Sequence, residues 1–146
     1  MESKSSFKKR LIAVGGSLLL AAICIGGLAT YLLSYHQTNA DTIATDLSDG
    51  SPTIVMFYNP TCEDCKQVEV LTKKLNYTTK LNPKASQIQH VYINVKSSLG
   101  KKYVKQFGIT ETPTYVLVTK NQVLGTYAGT DQNQITNLYT NYEVKN

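Results

Sequence analysis

Apolar residues are distributed unevenly along the chain, and the longest apolar run lies near the N-terminus. Residues 11–33 carry no charge. As a helix rising about 1.5 Å per residue, they would extend about 34 Å, enough to cross a bilayer core about 30 Å thick. Four basic side chains lie among residues 1–10, whereas the only charges of residues 34–50 are three aspartates. The positive-inside rule therefore predicts a cytoplasmic tip over 1–10, a transmembrane helix over 11–33 and an extracytoplasmic remainder.

A cleaved signal peptide is the alternative interpretation of this segment, with a small-residue cleavage site at Thr38–Ala40. The apolar run is longer than the roughly 7 to 15 residues of the apolar region of a signal peptide, and a polar stretch separates it from that site. We therefore favour a retained anchor. Residues 34–50 are mostly polar and predict a tether, with one short helix around Ile43–Leu47.

From residue 51 onwards the pattern predicts one α/β domain, over residues 51–146. Two continuous apolar runs are typical of strands buried on both faces, and an alternating run and a shorter apolar run predict two further strands. Helical spacing follows Cys62, Ser98 and Asp131. The predicted order is β-α-β-α-β-β-α, a four-stranded mixed sheet with helices on both faces; its strands are Thr53–Tyr58, Ile88–Val95, Thr114–Thr119 and Val123–Tyr127. The first two strands should be parallel, because a helix connects them.

The candidate chemistry lies in Cys62-Glu63-Asp64-Cys65, between the first predicted strand and the helix after it. The two thiols lie one helical turn apart at the start of a helix, where backbone N–H groups and the helix dipole favour a thiolate. This would make Cys62 the nucleophile and Cys65 the resolving thiol. A purely structural disulfide is the bland alternative, but a loop with two intervening residues constrains the unfolded chain little. Zinc would need more ligands than this pair, whereas Cu(I) held by two thiolates stays open.

The sequence resembles the thioredoxin-like superfamily in three places. Thr53–Lys66 resembles the strand, active-site loop and helix start of a thioredoxin, Lys105–Thr119 resembles the segment that carries the cis-proline, and Lys120–Gly129 resembles the terminal hairpin. The resemblance implies a minimal thioredoxin-like fold, with the family's N-terminal strand and helix abbreviated or missing. It also implies that Pro113 is the cis-proline and that the Thr112 backbone binds an extended substrate.

Tyr58, beside the active-site loop, is a further candidate for lining a substrate groove. Two positions depart from the family pattern. Met56 stands where such proteins carry a buried acid, and Thr61 stands where they carry a tryptophan.

These features predict a membrane-anchored, extracytoplasmic thiol–disulfide oxidoreductase. We expect a reductase or isomerase rather than a strong oxidase, because the motif lacks the histidine that periplasmic Dsb-type oxidases place between the cysteines. The expected substrates are disulfide-containing or dithiol proteins that are secreted or lie at the surface, and the expected redox partner lies in the membrane or at its outer face. No cofactor beyond a redox-active Cys62–Cys65 disulfide is needed, and we expect a monomer.

The alternative is a redox-independent scaffold or chaperone. An anchored thioredoxin-like chain is loosely similar to accessory proteins of Gram-positive bacteriocin export or conjugation systems. Nucleic-acid binding is unsupported, because the basic residues of the predicted domain are scattered and not interleaved with aromatic residues.

Overall fold

The N-terminal part of the chain is one long helix. In the computed structural model, which describes residues 3–82, 88–120 and 122–140, helix α1 spans Ser3–Leu33. Its stretch Gly15–Leu32 is long and apolar enough to cross a membrane. This helix belongs to one compact unit, which ends at Ser34, and a second unit begins at Tyr35. Membrane spans and signal sequences both have these properties.

The second unit contains a four-stranded mixed sheet with the strand order β2-β1-β3-β4. Strand β1 pairs with β2 in parallel and with β3 antiparallel, and β4 is antiparallel to β3. The predicted fold class is confirmed. The elements are α2 (Ala40–Ser48), β1 (Thr53–Tyr58), α3 (Glu63–Gln67), α4 (Glu69–Leu81), β2 (Gln89–Asn94), α5 (Ser98–Phe107), β3 (Thr114–Thr119), β4 (Gln122–Ala128) and α6 (Gln132–Thr140).

Helices cover both faces of the sheet, and the two central strands, β1 and β3, are buried except at Thr119, the last residue of β3. All six residues of β1 are buried. Alternate β1 side chains point to opposite faces, so Ile54 and Met56 pack with residues of α4 and α6, whereas Val55 and Phe57 pack with residues of α2 and α5. Continuous apolar runs of this kind are expected where a strand is covered on both sides.

Residues 35–50 are part of the folded unit, which corrects the expectation of a polar tether over 34–50. Helix α2 buries Ile43 and Leu47, which are 0 % and 6 % exposed. Asn39 caps it by accepting a hydrogen bond from the Thr42 N–H at 2.8 Å. Before it, the Thr38 N–H donates to the Tyr92 carbonyl on β2 at 2.9 Å. The short helix predicted around Ile43–Leu47 is therefore confirmed as α2, but it belongs to the folded unit rather than to a tether.

The helix predicted after Cys62 is divided in two at Val68, into α3 and α4. Val68 has a ψ of 0°, whereas a regular α-helix has about −42°, and its N–H is shared between the Asp64 and Lys66 carbonyls. The other helix ends follow the sequence signals. Gly108 ends α5 in the left-handed region at φ +65°, and the Asp131 carboxylate accepts hydrogen bonds from two N–H groups at the start of α6.

Candidate active site

The two cysteines lie where the loop after β1 becomes α3. The Cys62 N–H donates to the Asn59 carbonyl at 3.0 Å, and the Asn59 side chain accepts hydrogen bonds from both the N–H and the hydroxyl of Thr61. Asparagine often forms such turns with residues two positions ahead. The loop is therefore a hydrogen-bonded turn that presents Cys62 as the N-cap of α3.

Hydrogen bonds stabilise the Cys62 sulfur in its charged form. Burial alone would raise the pKa of Cys62, but hydrogen bonds to the sulfur lower this pKa. They come from the Cys65 thiol, from the backbone N–H groups of Cys65 and Asp64, and from the Thr112 side chain. The Cys65 nitrogen lies 3.4 Å from Cys62 Sγ. The net result is a Cys62 pKa below that of an ordinary thiol. Because the thiolate is the nucleophilic form, the lowered pKa activates Cys62. Its side chain is also partly exposed, so a substrate can reach the sulfur.

Cys65 has the opposite character. Its side chain is 1 % exposed. Burial raises the pKa of Cys65 to about 11, although a backbone hydrogen bond at Asn59 acts in the other direction. Both cysteines are free thiols in the structure. The pair thus combines an accessible sulfur that ionises readily with a protonated thiol held behind it, which is the asymmetry that thiol–disulfide exchange requires.

The loop before β3 reaches the same sulfur. Cys62 Sγ lies 3.4 Å from the Thr112 carbonyl oxygen, and the Thr112–Pro113 peptide bond is cis. Thr112 is partly exposed, whereas Pro113 is buried. The Pro113 carbonyl accepts a hydrogen bond from the Gly129 N–H at 3.0 Å. The structure therefore brings together four of the five candidate site residues: Cys62, Cys65, Thr112 and Pro113.

Tyr58 does not join this surface. Its side chain is 5 % exposed, and its ring packs against Tyr35 with a centroid distance of 5.1 Å. Its hydroxyl donates to the Tyr35 carbonyl at 3.5 Å. The expectation that Tyr58 lines a substrate groove is therefore corrected, and Tyr58 belongs to the core. Its contact with Tyr35 joins residues 23 positions apart, which no local sequence signal announces.

The core beneath the cysteines contains a polar pair that the sequence analysis missed. The hydroxyls of Thr72 and Tyr115 lie 2.6 Å apart, and both side chains are 0 % exposed. Thr72 also donates to the Val68 carbonyl. Met56 is buried in the same cluster, so an apolar side chain occupies the position where the resemblance leads one to look for an acid. Neutral hydroxyls and a thioether replace a buried charge here.

An open cleft of about 340 Å³ adjoins Thr112. The surface that contains the Cys62 sulfur thus continues into a groove with apolar walls and a charged rim, a shape that accommodates a polypeptide segment. Its lining residues are Val95, Lys96, Lys101, Val104, Ile109, Thr110, Glu111 and Thr112.

Charged groups near the thiols are few and exposed. Lys66 and Glu63 form a salt bridge of 3.0 Å in which both side chains are largely exposed, so its influence is strongly screened. Within the described part of the chain, no group of three or more histidine, cysteine, aspartate or glutamate side chains could hold a metal ion.

A protonated thiol behind an activated one, beside a cis-proline loop and on a four-stranded mixed sheet, defines a dithiol site of the thioredoxin type. The family model described as Thioredoxin matches residues 34–141, so the chain belongs to the thioredoxin family. Thioredoxin-1 of Drosophila melanogaster is 25 % identical over 93 residues, which are 64 % of this chain and 80 % of that protein. Membership supports a thiol–disulfide oxidoreductase type of activity in general.

Solved structures show the same fold. The germline-specific Drosophila thioredoxin Deadhead has a TM-score of 0.60 at 22 % identity, covering 70 % of this chain and 90 % of that one. Plasmodium falciparum thioredoxin has a TM-score of 0.61 at 16 % identity, with coverages of 71 % and 94 %. Thioredoxin f2 of Chlamydomonas reinhardtii has a TM-score of 0.59 at 19 % identity, with coverages of 75 % and 97 %.

Proposed function

We propose that this protein is a membrane-anchored, extracytoplasmic thiol–disulfide oxidoreductase that reduces or reshuffles disulfides in secreted or surface proteins. The observation that carries the chemistry is the unequal pair of sulfurs, with the pKa of Cys62 lowered and that of Cys65 raised to about 11. Anchoring and outward orientation are supported by the apolar helix and by the basic residues that precede it.

In the proposed reaction the Cys62 thiolate attacks a substrate disulfide. One substrate sulfur leaves as a thiolate and takes up a proton, and a mixed disulfide forms with Cys62. Cys65 then loses its proton and displaces the second substrate sulfur, so that the substrate gains two electrons and the enzyme is left with a Cys62–Cys65 disulfide. No other redox group is needed. A dithiol partner in the membrane or at its outer face would reduce this disulfide again.

We infer the direction of electron flow from the residues between the two cysteines. A very acidic thiol stabilises the reduced dithiol and makes a strong oxidant, as in Dsb-type oxidases near −120 mV, whereas thioredoxin lies near roughly −270 mV. Between the cysteines of this chain lie Glu63 and Asp64, whose negative charges oppose a strongly acidic Cys62. We infer a reducing couple, nearer to that of thioredoxin.

Insulin reduction by residues 35–146, the folded unit, tests the activity. Cys62→Ser should abolish the reduction while leaving the unfolding transition in place, because the partly exposed sulfur supports little packing. The matched control is Thr61→Ser in the same loop, which keeps a hydroxyl and should retain activity. Activity that survives Cys62→Ser would remove this residue from the nucleophile role.

Client proteins are identified in cells by the Cys65→Ser variant. Without the resolving thiol, mixed disulfides on Cys62 should accumulate and can be isolated with their partners. Complementation with the Cys62→Ser/Cys65→Ser double variant distinguishes the enzyme from a redox-independent scaffold of an export or conjugation apparatus. Loss of function in the double variant supports the enzyme, and full rescue supports the scaffold.

A further inference from the structure

Helix α4 leaves a row of apolar side chains in solvent. Val70, Tyr77 and Leu81 are 59 %, 68 % and 69 % exposed. With Lys74 they occupy positions i, i+4, i+7 and i+11, which lie above one another on a single helix face. We name these four residues the α4 stripe. The buried residues of the helix, Thr72 and Thr79, lie on its other side. Isolated exposed apolar residues are ordinary, but three on one face of a helix are characteristic of a contact surface.

Beyond Glu69 at its first residue, helix α4 carries charges of one sign. From Val70 to Asn82 the sequence contains Lys73, Lys74 and Lys80 and no acidic residue. Lysines beside a row containing a tyrosine and aliphatic side chains are typical of helices that lie at the surface of an anionic membrane. Tyrosine is suited to this region, because its ring is apolar and its hydroxyl remains hydrated.

The path of the chain also relates α4 to a membrane surface. Tyr35, the first residue of the folded unit, donates its N–H to Glu69 at 2.7 Å, and Glu69 is the first residue of α4. Lys73 Nζ lies 5.9 Å from the centroid of the Tyr35 ring. Along the sequence, only Ser34 separates Tyr35 from the end of the apolar helix α1. The first residue of the folded unit is therefore bonded to the helix that carries the stripe, and the apolar segment immediately precedes it in the sequence.

We propose that the α4 stripe is a docking surface for the anionic bilayer surface in which the chain is anchored. This inference rests on the anchor of the proposed function. Docking would hold α4 in the plane of the lipid headgroups, with the apolar side chains among them and the lysines at the phosphates. It adds to the proposed function a defined place of action, since substrates would be met at the membrane surface.

Tryptophan fluorescence tests the docking, because the natural chain contains no tryptophan. The full-length Tyr77→Trp variant is reconstituted into nanodiscs of phosphatidylcholine, with or without phosphatidylglycerol, whose acyl chains carry bromine as a quencher. The matched control is Gln106→Trp, at an exposed position of α5 on the opposite face of the sheet. Both substitutions are at exposed sites, and unchanged insulin reduction verifies that each variant is folded.

We expect the tryptophan of Tyr77→Trp to be quenched and shifted to shorter wavelength in anionic nanodiscs, and that of Gln106→Trp to be unaffected. Adding Lys74→Gln and Lys80→Gln should lower the ratio of docked to undocked protein by about five-fold per lysine, the effect of one basic residue near an anionic surface. Equal emission from the two variants would overturn the docking. Quenching that is changed neither by the lysine substitutions nor by removal of the anionic lipid would overturn it as well.

Failure of the docking is distinguishable from failure of the anchor. A chain that co-elutes with nanodiscs but shows an unquenched Tyr77→Trp signal keeps its anchor and refutes only the docking. A chain that elutes free of nanodiscs refutes the anchor, and the docking with it.

Discussion

Replacing Ile43 by alanine measures how strongly α2 is integrated into the folded unit. Ile43 is 0 % exposed and packs in the same core cluster as Leu47, Val55 and Phe57. Truncating a fully buried isoleucine to alanine costs about 2 to 5 kcal/mol, which combines lost burial with the cavity left behind. The free energy of unfolding of a domain is only about 5 to 15 kcal/mol. We therefore expect Ile43→Ala to lower it by about 3 kcal/mol.

The assay is urea unfolding of residues 35–146, followed by circular dichroism. With an m-value of about 1 to 3 kcal/mol per molar urea, a loss of 3 kcal/mol lowers the midpoint by about 1 to 3 M. The control is Thr45→Ala, an exposed position on the same helix, which should stay within about 0.5 kcal/mol of the natural sequence. If Ile43→Ala had as little effect as Thr45→Ala, the packing of α2 onto the sheet would be refuted.

Two further predictions concern buried polar groups. Burial lowers the pKa of His90 to about 3, so between about pH 6.5 and 3 the unfolded chain binds a proton that the folded chain does not. As the pH is lowered through this range, the free energy of unfolding should fall by about 1.4 kcal/mol per pH unit. His90→Gln should reduce the slope of urea midpoints against pH, and an unchanged slope would contradict this origin. Thr72→Val leaves the Tyr115 hydroxyl buried without its partner and should cost about 1 to 3 kcal/mol of unfolding free energy; adding Tyr115→Phe should recover part of this loss, and strictly additive losses would argue against the pairing.

The sequence carries enough information to predict the sheet. Strand β1 is predictable because a strand buried on both faces needs an uninterrupted apolar run, and Thr53–Tyr58 is such a run. The cysteines are predictable as a pair, because their spacing and their place after a strand are local features. The proximity of Thr112 to Cys62 is not local, since 50 residues separate them. The family resemblance, rather than any periodicity, indicated it.

The packing of α2 against the sheet was missed for an identifiable reason, although a short helix was predicted around Ile43–Leu47. Residues 35–50 are mostly polar, and composition outweighed the signals that were present. Asn39 is a favourable N-cap, and Ile43 and Leu47 are spaced four residues apart, as on one helix face. A nine-residue helix with two apolar side chains is marginal in isolation, so only its burial against the sheet reveals its role.

Tyr58 and Val68 depend on tertiary structure in a similar way. The ring of Tyr58 is buried because Tyr35 covers it, and Tyr35 is held there by its hydrogen bond to Glu69. Neither contact has a signature within a window of sequence. At Val68 the apolar spacing continues through the helix break, so the periodicity that predicts the helix gives no sign of the interruption.

The reactivity of Cys62 as a function of pH tests the central claim most directly. Residues 35–146, fully reduced, are treated with an excess of iodoacetamide across a range of pH, and the modification of each cysteine is followed by mass spectrometry. We predict that the rate at Cys62 rises with a midpoint below the roughly 8.5 of an unperturbed thiol, while Cys65 stays unmodified through neutral pH. A Cys62 midpoint at or above that of a free thiol, or equal rates at the two cysteines, would contradict the account.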